Sequence, residues 1–98
     1  MAEGETAAQA NLVRVVLPRA LVDLFPGAVA DTTLDGGTVD QVMRELDARW
    51  PGMRDRLVDS RPSIRRHINV FVDGRRVTLD TALSPGATVH ILTAISGG

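Results

Sequence analysis

Apolar and polar positions along this chain change period several times, and each change marks an element. Leu12 to Leu17 is a valine-rich apolar run closed by Pro18, which has no N–H for a sheet ladder; it predicts a first strand. Arg19 to Gly27 carries Leu21, Leu24 and Phe25 ahead of Pro26-Gly27, which predicts a short helical turn tucked against the core. A weaker strand is expected from about Ala28 to Leu34, with Val29 and Leu34 inward. Their parity differs, so a bulge or an early strand end is implied.

The strongest periodicity follows the Asp35-Gly36-Gly37 turn. Val39, Val42, Met43, Leu46 and Trp50 recur at helical spacing, while Arg44, Glu45, Asp47 and Arg49 lie outside that stripe. Thr38 and Gln41 have capping-box spacing, in which each side chain satisfies the other's backbone N–H. Pro51-Gly52 ends this helix, Met53 to Val58 adds a further turn, and Asp59 to His67 reads as a polar connection. Ile68 to Val72 alternates as a half-buried strand, and Asp73-Gly74 predicts a tight hairpin. Leu79 to Leu83 suggests a turn and Pro85-Gly86 another. Thr88 to Ala94 is then the last strand, with Val89 and Ile91 inward and Phe71, His90 and Leu92 sharing the opposite face. Strands, one main helix and further strands predict an α+β domain with the helix covering one face of a mixed sheet.

Composition narrows the function. Apolar residues make up 44% and charged residues 23% of 98 residues, as expected of one globular domain. A net charge of −1 with no basic face argues against nucleic acid as a partner. Residues 1 to 10 are acidic and polar, unlike a signal peptide, and no apolar run is long enough to span a bilayer; a disordered leader, no membrane partner and cytoplasmic residence are expected. There is no cysteine, hence no thiol nucleophile or thiolate metal site. All 11 basic residues are arginine, so no side-chain amine could attack an activated carboxylate of the chain itself; a compositional preference for arginine is the plainer account.

Chemistry within the domain is hard to find. A phosphate loop would need a lysine, His67 and His90 have no metal-motif spacing, and no serine among Ser60, Ser63, Ser84 and Ser96 sits in a nucleophile elbow. Arg61, Arg65 and Arg66 with Arg75 and Arg76 could bind an acidic partner, a solvated polar edge being the plainer reading. What stands out is the end, Ile95-Ser96-Gly97-Gly98 after an apolar strand. Glycine has no Cβ, and four extended residues reach at most about 14 Å, which suits delivery of the Gly98 carboxylate into another protein's active site.

The hairpin run Ile68 to Gly74 and the ending Leu83 to Gly98, with the element order upstream, resemble the MoaD/ThiS family of ubiquitin-like sulfur carriers, over nearly all of Leu12 to Gly98. Thr93 stands where many relatives have proline, and Pro85-Gly86-Ala87 takes the place of an acidic-Gly-acidic turn. The length, the long helix-to-hairpin connection and the Ala-Ile-Ser-Gly-Gly ending look closer to the molybdopterin and cysteine-pathway carriers than to the thiazole carriers. The resemblance implies a β-grasp fold for residues 11 to 94, a mixed sheet of four to five strands on one main helix, with first and last strands parallel at its centre. Residues 95 to 98 would form a flexible tail.

It also implies a co-substrate and not an enzyme, though the small subunit of a sulfur-transferase complex is possible. No cofactor would be bound; a ThiF/MoeB-like adenylating enzyme would use ATP and magnesium on Gly98, with Gly97 giving access. A sulfur donor would then produce a thiocarboxylate for an acceptor biosynthetic enzyme. Phe71, Leu92, Ile95 and Ser96 are the expected partner-binding residues. The alternatives are a ubiquitin-like modifier conjugated through Gly98 and a non-covalent β-grasp binding module.

Overall fold

The computed structural model describes residues 10 to 94. The chain runs through β1 (Leu12–Val16), α1 (Arg19–Val22), β2 (Asp31–Asp35), α2 (Val39–Arg49), α3 (Met53–Leu57), β3 (Ile68–Val72), β4 (Arg75–Arg76) and β5 (Thr88–Thr93). The strands form one five-stranded sheet in the order β2-β1-β5-β3-β4. β1 and β5 are parallel neighbours, with Val15 opposite Val89, and the other pairings are antiparallel. This is the β-grasp arrangement: a chain-terminal strand sits mid-sheet, held on both sides.

Alternation in the strands sends Val13, Val15, Val70, Val89 and Ile91 to one face, where they are buried against Val39, Val42, Met43 and Leu46 of α2. Trp50 packs at the margin of this core, and Met53 and Leu57 of α3 complete it. No polar or charged residue is buried among the described residues, so the core is held by apolar burial, worth about 25 cal/mol per Å² removed from water.

The start of α2 accounts for its first-turn donors one by one. Thr38 Oγ1 accepts from the Gln41 N–H at 3.2 Å, and the N–H groups of Val39 and Asp40 donate to the carbonyls of Thr81 and Leu79. The expected reciprocal bond differs by one residue: Gln41 Oε1 accepts from the N–H of Gly37, not of Thr38. At the other end Asp47 Oδ1 accepts from the N–H groups of Gly52 (3.0 Å) and Arg54 (3.1 Å), joining α2 to α3 across Gly52, whose φ of +98° favours glycine. In the β3–β4 hairpin Asp73 and Gly74 both have positive φ, as a type I′ turn requires.

Two expectations are corrected. β2 begins at Asp31, not Ala28, and Val29 is 48% exposed, because the parity that buries Leu34 cannot also bury a residue five positions earlier. Leu24 is 53% exposed: it lies beyond α1, whose buried contact is Leu21, while Phe25 turns back onto the core beside Gly52.

Candidate functional site

β5 is the middle strand of the sheet, and its chain direction carries it to one end of the domain, where the described residues stop at Ala94. The Ala94 N–H donates to the His67 carbonyl at 2.7 Å, so the pairing with the β3 side continues to that point. Ile95, Ser96, Gly97 and Gly98 lie outside the described residues. Ala94 is thus held to the sheet by a main-chain bond. Beside it a hollow of about 120 Å³ is lined by Leu24, Arg56, His67 and Thr93. Sequence reasoning missed this feature because it placed Leu24 inside.

On the face away from α2, Asp31, Val16, His90, Phe71 and Arg76 are successive partners across all five strands. Leu92, 45% exposed, stands two residues beyond His90 toward the tail and is diagonal to the half-buried Phe71, a separation of roughly 7 Å in an antiparallel pair. The structure therefore brings Phe71 and Leu92 together on one open face, as their parity implies. The β1–β2 side of this face is charged: Arg14 Nε donates to Asp31 at 2.9 and 3.1 Å, and a second guanidinium nitrogen contacts the same carboxylate. Those hydrogen bonds hold the Asp31 carboxyl below its usual range and raise the Arg14 guanidinium. The face thus pairs a satisfied ion pair on one side with an apolar diagonal beside the tail root.

Among the described residues no group of three or more His, Asp or Glu side chains could hold a metal ion; His67 lies in the turn before β3 and His90 within β5. No helix among them is long and apolar enough to cross a membrane. The predicted arginine cluster is divided. Arg61 bonds Asp59, Arg65 bonds the Asp55 carbonyl, and Arg65, Arg66 and Arg76 meet around a groove at the β3–β4 edge.

Comparison with known proteins gives this geometry a family. Small archaeal modifier protein 3 of Haloferax volcanii is 34% identical over 68 residues, covering 65% of this chain and 73% of its own. Sulfur carrier protein CysO of Mycobacterium tuberculosis is 32% identical over 78 residues, covering 74% and 84%. Among solved structures, the BexX/CysO complex of Amycolatopsis orientalis matches with a TM-score of 0.78 at 29% identity, over 88% of this chain and 99% of that one. SAMP1 of Haloferax volcanii, at 21% identity and a TM-score of 0.74 over 89% and 99% of the two chains, shares the fold. The model of the ThiS family matches residues 17 to 98, which shows that the chain belongs to the ThiS family of ubiquitin-like sulfur carriers.

Proposed function

We propose that this protein carries sulfur on its C-terminus as a thiocarboxylate. The observation that carries the reading is the position of β5: a middle strand, paired with β1 as far as His90 and bonded on the β3 side as far as Ala94, after which the sequence reads Ile-Ser-Gly-Gly. The family match running through residue 98 and the likeness to CysO support it. A free carboxylate is a poor acceptor. An adenylating partner joins the Gly98 carboxylate to the AMP portion of ATP, with magnesium, and releases pyrophosphate. Hydrosulfide, or a persulfide with a reductant, then attacks the acyl carbon, AMP leaves, and Gly98 ends in a thiocarboxylate. When that sulfur bonds to an acceptor enzyme's substrate, water hydrolyses the acyl–sulfur bond, leaving the sulfur on the substrate and returning the Gly98 carboxylate. Phe71 and Leu92 anchor the partner while Ile95, Ser96 and Gly97 pass the terminus into its site.

Incubation with a cognate adenylating enzyme, ATP, magnesium and sulfide should raise the intact mass by the exchange of one oxygen for one sulfur, and fragmentation should place that change on Gly98. Absence of sulfur under conditions in which the acyl-adenylate forms would overturn the proposal. The likeness to an archaeal modifier protein favours one second reading, conjugation through Gly98 to amines of other proteins, which would appear as amide-linked adducts that survive thiol and hydroxylamine treatment.

A further inference from the structure

The Ala94 N–H to His67 carbonyl bond sets the phase of the β3–β5 ladder. With Ile68 opposite Thr93 and Asn69 opposite Leu92, the main-chain groups of Asn69 and Phe71 point at β5, and those of Ile68, Val70 and Val72 point the other way. On that outer side the Ile68 N–H donates to the Arg65 carbonyl and the Val70 carbonyl accepts from the Val77 N–H. β4, however, pairs with β3 only at Phe71 and Val72. The Val70 N–H and the Ile68 carbonyl therefore take no bond from any described residue. They adjoin a groove of about 580 Å³ that both residues line.

The residues lining this groove include three arginines, Arg65, Arg66 and Arg76, and one acidic residue, Asp80, whose carboxylate accepts from the Thr78 hydroxyl. Among the described residues neither Arg66 nor Arg76 forms an ion pair. The half-buried Ile64 and Leu79 supply an apolar floor. Unpaired main-chain groups at a sheet edge invite a strand, and the surplus of cations selects its charge.

We infer that this groove takes an extended acidic segment of a partner protein as a short added strand beside β3. The Val70 N–H donates to the guest's backbone, the Ile68 carbonyl accepts from it, alternate apolar side chains rest on Ile64 and Leu79, and carboxylates meet Arg65, Arg66 and Arg76. The inference goes beyond the tail chemistry and holds whether or not Gly98 carries sulfur. Because Ile68 is the partner of Thr93, a protein held here stands one strand away from the tail root.

The test is a titration of the ¹⁵N-labelled full chain with a synthetic acetylated heptapeptide alternating valine and glutamate. Amide shifts should be confined to residues 64 to 70 and 76 to 80, and hydrogen exchange of the Val70 N–H should slow. Replacing glutamate by lysine in the peptide should abolish binding, and N-methylating alternate peptide bonds should weaken it roughly tenfold, as loss of strand hydrogen bonds requires. Arg66→Ser combined with Arg76→Ser should weaken binding by about tenfold or more with unchanged melting, whereas Arg75→Ser should have no effect. No shift at millimolar peptide, equal binding of the lysine or N-methylated peptides, or shifts centred on Phe71 and Leu92 would each overturn the inference. Groove shifts that depend on protein concentration without peptide would assign the groove to a second copy of the chain, and would also overturn it.

Discussion

Ala94 donates its N–H to the carbonyl of His67 at 2.7 Å, one residue beyond the last pair of β3 and β5. This bond holds the end of the central strand against its neighbour at the last described residue. A carrier that must deliver its terminus repeatedly to a partner's active site needs such a root, since misplacement of a reacting atom by an ångström lowers rate steeply.

Adding one alanine after Gly98 should abolish AMP-forming activation while leaving thermal unfolding unchanged. The extra residue moves the carboxylate and adds a Cβ beyond the core, so folding and function separate. Equal activation of the extended protein would contradict this.

Phe71→Asp and Leu92→Asp should each weaken binding to the adenylating or acceptor enzyme by about 2 kcal/mol or more, the scale of an interface hot spot. Leu92 is exposed and Phe71 half-buried on the face away from α2, so circular dichroism should show a retained fold. Calorimetric titration against each partner checks it; unaltered affinity in both variants would exclude this face.

Thr38→Ala should cost about 1 kcal/mol by removing the oxygen that accepts from the Gln41 N–H. In a domain of this size that lowers the melting temperature by roughly 5 °C. Thr38→Ser keeps the oxygen and should stay within about a degree of the parent. A thermal scan of both variants decides the point.

Asp59 accepts from the Arg61 side chain at 2.9 and 2.5 Å and from the Arg61 backbone N–H at 3.0 Å, and these bonds lower its carboxyl pKa to about 2. An unfolded aspartate titrates near 3.9. The unfolded state therefore binds the proton more readily. The stabilisation from Asp59 is fully present above about pH 4 and fades as pH falls toward 2. Asp59→Asn should be less stable at neutral pH and should show a shallower loss of melting temperature between pH 4 and 2.

Local order was legible in the sequence wherever neighbouring residues carry the whole signal. The helical spacing of Val39, Val42, Met43 and Leu46, the Asp73-Gly74 turn, and the parity that places Phe71 and Leu92 on one face are all properties of short windows, and the structure holds them. Boundaries were less legible: Val29 and Leu24 are apolar, but an apolar side chain does not say whether anything stands opposite it, and in each case nothing buries it. Gln41 reaches Gly37 in place of Thr38, while residues 79 to 81 close over the helix start and supply carbonyls from far along the chain. Nothing within Leu12–Val16 or Thr88–Thr93 states that they lie side by side and parallel; the family resemblance carried that expectation, and tertiary structure realises it by burying both strands' valines under α2. The meeting of Arg65 and Arg66 with Arg76 around the unpaired edge of β3 was likewise decided only by folding, because charge in a sequence shows no position in space until strand order and register bring its bearers to one edge.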